Sequence, residues 1–130
     1  MVTDSALSLL GLALRGNNLA VGEAPVEEAC KTRRAWLVVS AADAAQNSVD
    51  RAGRWAEAGG VPWIRVPWDK EVLGGALGRS VCAMAALTDR GLATALAEKL
   101  AGRDENLHPI ASLLNEKKNG RAQRPAVPEI

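Results

Sequence analysis

The sequence contains neither phenylalanine nor tyrosine, and its whole aromatic content is four tryptophans. Proteins that hold single strands of nucleic acid commonly stack bases on rows of aromatic rings, so a platform of that kind is not expected. Cysteine and histidine are equally sparse. Cys30 and Cys82 stand alone, with no Cys-x-x-Cys pair, and His108 is the sole histidine. That composition offers no metal-ligand spacing. Two isolated thiols suit a reducing, cytoplasmic setting better than a disulfide. No apolar run approaches the ~20 residues of a membrane span, so no membrane partner is expected. The opening Met1-Val2-Thr3-Asp4 lacks the basic n-region of a secretory leader.

An excess of one charge is also missing. Sixteen basic side chains face fifteen acidic ones, and residues 1–101 hold eleven of each. Only residues 116–124 are locally basic, with four cations against one anion. A balance of this kind does not attract nucleic acid through a global field. Any RNA binding has to come from local placement of charge.

What is present is a regular alternation. At its centre lies Trp36-Leu37-Val38-Val39, an apolar run short enough for a buried strand. It gives way to small residues, with Asp43 and then Asn47-Ser48, which suit a turn and the cap of a following helix. Before it, Asp4-Ser5 can cap a helix carrying Leu7, Leu10 and Leu14, and Gly16-Asn17-Asn18 ends that helix with residues that tolerate positive φ. Leu19-Ala20-Val21-Gly22 reads as a short strand. Pro25 then falls in the first turn of a second helix, where its missing N–H costs little. Glu23, Glu27 and Glu28 crowd the start of that helix, and Lys31, Arg33 and Arg34 its end, as the macrodipole favours.

After the central strand a helix is expected from about Gln46 to Ala58, closed by Gly59-Gly60. Val61 to Val66 reads as a third strand, with Pro62 at its entry. Asp69 caps a short helix punctuated by Gly74, Gly75 and Gly78. Val81 to Leu87 is a fourth strand, and Thr88-Asp89 caps a last helix striped by Leu92, Leu96 and Leu100. The order α-β-α-β-α-β-α-β-α predicts the α/β class: a three-layer α/β/α sandwich around a four-stranded mixed sheet, occupying residues 1–101 as one domain. From residue 102 the character changes. His108-Pro109 is expected to break the chain, Ile110 to Leu114 is a short apolar patch, and from Asn115 a polar, disordered tail is expected.

Four segments, taken together, resemble the superfamily of kink-turn RNA-binding ribosomal proteins, of the L-seven-Ae, L-thirty-e and Gadd type, and within it the small bacterial YlxQ-like proteins. They are Leu9 to Arg15 with Leu19 to Gly22; Leu37 to Ser48, with its Asp-Ala-x-x-Asn-Ser loop; Val61 to Arg79, with its Val-Pro strand and Gly-flanked helix; and Val81 to Ala93, with its Thr-Asp-x-Gly-Leu-Ala turn. The resemblance implies a non-enzymatic, cofactor-free protein of ribosome- or translation-related RNA biology. It implies structured, kink-turn-like RNA as partner, recognised by shape, with ribosomal or translation proteins as further partners. The oligomeric state is left open.

In that family the RNA surface comes from the start of the second helix, the loop after the central strand and the loop before the last strand. The matching positions here are Gly22, Glu23, Asp43, Asn47, Arg79, Val81 and Cys82. The chain departs from the family's Gly-x-Asn-Glu-x-x-Lys motif at Ala24, Pro25 and Glu28, and places Ala45 where kink-turn binders carry an acid. Ala24 cannot read a guanine edge and Glu28 repels phosphate. A protein–protein adaptor on the same fold is therefore the alternative.

Other features have plainer readings. Asp43 and Asn47 fit a loop capped into a helix better than a catalytic or metal pair. Gly74-Gly75-x-x-Gly78 lies in and after a helix, not between strand and helix, so it is no dinucleotide fingerprint. Cys30 and Cys82 read as core or loop thiols. Trp36 and Trp63 are expected in the core, Trp55 and Trp68 partly exposed. Arg79 reads equally as a phosphate contact and as a solvated arginine.

Overall fold

The computed structural model describes residues 4–119. The chain alternates α1 (Ser5–Arg15), β1 (Leu19–Val21), α2 (Glu23–Lys31), β2 (Leu37–Ser40), α3 (Gln46–Gly59), β3 (Trp63–Arg65), α4 (Lys70–Ala76), β4 (Met84–Leu87), α5 (Arg90–Ala101), a single 3₁₀ turn (Glu105–Leu107) and α6 (His108–Asn119). The four strands form one sheet in the order β1-β4-β2-β3. β4 runs antiparallel to both β1 and β2, and β2 runs parallel to β3, so the sheet is mixed. This is the α/β/α sandwich that the alternation predicted.

The pleat divides the core in two. Leu37, Val39, Ala85 and Leu87 face one way, into a cluster with Leu10 of α1, Leu73 of α4, Leu96 and Leu100 of α5 and Leu114 of α6. Val38, Met84 and Ala86 face the other way, against Val26, Ala29 and Cys30 of α2 and Ala52 and Ala56 of α3. Every residue of β2 and β4 is buried, as continuous apolar runs covered on both faces require. The α2–α3 layer is built from alanine, valine and glycine and packs closely. A Cβ on Gly59 would stand 3.1 Å from the carbonyl oxygen of Cys30.

Two expectations change. His108-Pro109 does not break the chain but begins α6, with Pro109 in the first turn, where no N–H is needed. Ala111 and Leu114 are buried, and α6 lies along α5. The apolar patch is thus the inner face of a helix that runs on past Asn115. The rest of the expected disordered tail, residues 120–130, lies outside the described residues. The second change concerns tryptophan. Trp68 is buried at 8% exposure, its indole N–H donating to Asp4 Oδ2 at 2.9 Å, whereas Trp36, Trp55 and Trp63 are half-buried. Trp63 also uses its indole N–H, donating to Ser40 Oγ at 2.8 Å.

Asp4 ties the opening of the chain to its far end. It caps α1 by accepting from the N–H groups of Ala6 and Leu7, and it accepts two further hydrogen bonds from the Arg103 guanidinium. Those charged donors, with the Trp68 indole, hold its carboxyl well below the usual carboxylate range against the opposing effect of burial.

Candidate functional site

Strand direction assembles the site. β1, β2 and β3 run the same way and β4 runs against them. The exits of the first three therefore meet the entry of β4 at one end of the sheet. Ser40, the last residue of β2, stands opposite both Met84 and Arg65, and Gly22 N–H donates to Met84 O at 3.1 Å. Three connections converge there: the turn into α2, the β2–α3 loop and the loop from α4 into β4. Hydrogen bonds knit them together. Ala41 N–H donates to Ala83 O at 2.9 Å, Ala42 N–H to Trp68 O at 2.8 Å and Cys82 N–H to Lys70 O at 3.0 Å.

Gly22 makes the first turn possible. Its φ of +100° is open to glycine and strained for other residues. Glu23 follows as the first residue of α2, and its carboxylate, 42% exposed as a side chain, is engaged by neighbouring α3. Ser48 Oγ donates to its Oε2 at 3.1 Å, and Arg51 grips both oxygens, Nε to Oε1 at 3.1 Å and Nη2 to Oε2 at 2.7 Å. The fork holds the Glu23 carboxyl below its usual range and the arginine above its own. Glu23 thus fixes the angle between the two helix starts.

Asp43 and Asn47 depart from their expected parts. Asp43 does not cap α3. Its Oδ1 accepts from Lys70 N–H at 2.8 Å, at the start of α4. The N-cap of α3 is Ala45, which has no side-chain acceptor, and Asn47 is exposed in the first turn. The N-cap of α2 is Gly22, equally without one. In contrast α1, α4 and α5 are capped by the carboxylates of Asp4, Asp69 and Asp89. The first intrahelical acceptances at the two bare ends go to Val26 and Val49. The N–H groups of Glu23, Ala24, Gln46, Asn47 and Ser48 therefore have no acceptor within their helices, and both dipoles point their positive ends at the same end of the sheet.

The loop into β4 supplies the apolar element. Val81 is 54% exposed. Its backbone rests on α4, where a Cβ on Gly74 would come within 2.7 Å of the Val81 Cα. Arg79 precedes it and is exposed, its backbone N–H donating to Gly74 O at 2.8 Å. Cys82 belongs to the interior. It is 4% exposed, its Sγ–H donates to Met84 O at 3.2 Å, and burial pushes its thiol pKa up. It is a core thiol that sets the depth of the loop, and it is not part of the exposed surface.

Two cations at this end were not expected from the sequence. Arg51 is brought in by α3. Arg65 ends β3 and donates from Nη1 to Ala42 O at 3.0 Å, bracing the β2–α3 loop. The signal for Arg51 was its spacing of three from Ser48 on one helix face; for Arg65 it was the outward position in an alternating strand. The end as a whole mixes charges: Arg51, Arg65, Lys70 and Arg79 alternate with Glu23, Asp43 and Asp69. Among the described residues, no three His, Cys, Asp or Glu side chains form a metal-binding group.

No protein-family model and no curated protein matches the sequence. Solved structures do. A protein of unknown function from Bacillus halodurans C is 28% identical, with a TM-score of 0.70 over 75% of this chain and 98% of its own. The 15.5kD RNA binding protein of Giardia lamblia is 22% identical, with a TM-score of 0.60 over 82% of this chain and 93% of its own. The fold is shared with both along most of their lengths.

Proposed function

We propose that this chain is a non-enzymatic RNA-binding protein that receives structured, sharply bent RNA at the sheet end formed by Gly22, the β2–α3 loop and the β4 entry. One observation carries the reading. Of the helices that begin at this end, α2 and α3 lack side-chain caps, while α4, like α1 and α5, is capped by an aspartate. Five backbone donors with two converging dipoles suit phosphate oxygens and the acceptor edges of bases. Val81 offers an apolar surface for a base turned out of its stack, with Arg79 two residues before it for phosphate, and Arg65, against the β2–α3 loop, brings a second cation to the same end. The shared fold with the Giardia RNA-binding protein supports RNA as the partner in general. The YlxQ-like resemblance extends the proposal to kink-turn-like RNA, to a ribosome- or translation-related role and to the cytoplasm.

Recognition by backbone donors fits the residues missing from the family motif. Ala24 and Glu28 supply no guanine contact, so shape carries more weight than sequence. The test is a titration against a kink-turn RNA and against the same RNA with its bend-forming G·A pairs destroyed, at two salt concentrations. Preference for the bent RNA is expected. Equal, weak binding that vanishes with salt overturns shape recognition. No binding to either favours the adaptor reading, to which the mixed charge of this end would be better suited.

A further inference from the structure

Arg65 faces two ways. Its Nη1 donates to Ala42 O in the β2–α3 loop at 3.0 Å, while its Nε and Nη2 make no hydrogen bond among the described residues. The same side chain lines a cleft of about 300 Å³ between the exit of β3 and the end of α5, together with Pro67, Leu100, Arg103, Asp104 and Leu107. One cation therefore borders both the sheet end described above and a cavity outside it.

The cleft has a fixed frame. Leu100, 1% exposed, belongs to the core beneath it. Pro67 is exposed and Leu107 half-buried, so both present apolar surface at the opening. Arg103 is held in place by both oxygens of Asp4, with its guanidinium 6.0 Å from the centre of the Trp68 ring. Trp68 is tied in turn to the β2–α3 loop, since its carbonyl accepts from Ala42 N–H at 2.8 Å. Both rims thus anchor on Ala42, one through Arg65 and one through Trp68. The acid of the lining is Asp104. Its Oδ1 accepts from Asn106 N–H at 3.0 Å, and its Oδ2 has no partner among the described residues.

This lining suits a nucleotide. Apolar walls and a guanidinium plane can take the faces of an unstacked base. A carboxylate accepts from an exocyclic amino group, as it does from cytosine N4. Arg65 has donors left for the neighbouring phosphate. The volume lies at the small end of the range for ligand sites, so it admits one nucleoside and excludes a helix. A bare anion would use Arg65 and be repelled by Asp104.

We infer that the cleft receives one unstacked, amino-bearing base (adenine, cytosine or guanine) of the bound RNA, with Asp104 on the amino group and Arg65 on the adjoining phosphate. The inference rests on the RNA-binding reading above and adds to it a second base site, reached through Arg65. Uracil is disfavoured there: it has no amino group, and two carbonyls flank its single ring N–H.

The test is amide NMR titration of the full, isotope-labelled chain. The small probes are AMP, UMP and inorganic phosphate. The large ones are a kink-turn RNA with adenosines in its unpaired bulge and the same RNA with uridines there. AMP is expected to shift the amides of Arg65, Arg103, Asp104 and Leu107 with a dissociation constant of ~1 mM, UMP to bind at least ~3-fold more weakly, and phosphate to leave Asp104 and Leu107 unmoved. The adenosine RNA should shift these amides together with those of Gly22 and Val81, and bind ~3–10-fold more tightly than the uridine RNA. Asp104→Asn keeps an acceptor for Asn106 N–H and removes the charge, so it should erase both preferences while the amide spectrum confirms the fold. If RNA moves Gly22 and Val81 but leaves the cleft still, the second base site is overturned and the RNA-binding reading stands. If RNA moves neither place, both fall. A cleft that answers AMP and not RNA holds a free nucleotide, which also overturns the inference. Equal responses to AMP and UMP, unchanged by Asp104→Asn, overturn the part given to Asp104.

Discussion

Gly74 and Val81 are in backbone contact: a Cβ added to Gly74 would lie 2.7 Å from the Val81 Cα and 2.8 Å from both its N and C atoms. The exposed valine at the sheet end owes its position to a missing side chain on α4. Gly74→Ala puts one methyl group where backbone stands. We expect it to cost about 1–3 kcal/mol in urea unfolding, the usual range for overpacking. RNA affinity should fall further than stability alone explains, because the loop carrying Arg79 and Val81 must move. Gly75→Ala is the control, since a Cβ there meets nothing within 4 Å; an equal loss of stability from both would remove the contact as the cause.

Acid should loosen the clasp at Asp4. Its folded-state pKa is depressed below the ordinary 3.8 by Arg103 and Trp68. A group of that kind contributes stability that is present above the unfolded pKa and is lost as pH falls through the folded one. Asp4→Asn keeps an acceptor for the α1 cap and removes the charge. Wild type should exceed the variant by about 1 kcal/mol near neutral pH, a figure held down by the partly exposed Arg103. The gap should begin to narrow below about pH 4 and keep shrinking as the pH falls toward the depressed folded value. Urea midpoints across that window decide it, and a gap that persists unchanged would mean the charge is not the stabilising element.

Arg79 and Arg65 should separate in their salt dependence. Arg79 makes no side-chain hydrogen bond within the described residues, so Arg79→Ala should leave the fold intact. It should weaken RNA binding across sequences and reduce the log–log salt slope by about 1. Arg65 also braces Ala42, so Arg65→Ala should reduce the slope and lower the stability of the β2–α3 loop, seen as faster amide exchange there. An unchanged slope for Arg79→Ala would take that residue out of the interface.

The layers were legible because the apolar runs and the caps agreed. Trp36 to Val39 is short and β-branched enough for a buried strand, and Leu37–Ser40 forms one; Asp4, Asp69 and Asp89 each stand before a helix that they do cap. Failures came where one residue had two uses. Asp43 looked like a cap for α3 by spacing, yet it bonds the start of α4, a contact across 27 residues that no local pattern encodes. Pro109 looked like a break, but a proline in a first turn starts a helix equally well. Trp68 was expected to be partly exposed, yet it is buried and its indole N–H donates to Asp4, 64 positions away, a contact no local pattern encodes. For the candidate site, the sequence placed Gly22, Asn47, Arg79 and Val81 at one end of the sheet. It could not say that Glu23 is held by Arg51 or that Cys82 turns inward, because both depend on how helices and loop meet after folding.

The clasp also sets a timetable for the nascent chain. Arg103 leaves the ribosome 99 positions behind its partner Asp4. At roughly 5–20 residues per second, the wait is about 5–20 s. β1 waits for β4 in the same way, since among the described residues it pairs with that strand. During synthesis α1 can form and cap itself, but its leucines have no sheet to cover until most of the chain has emerged. The first helix therefore needs shelter through most of translation, because the sheet and the clasp that fasten it arrive late.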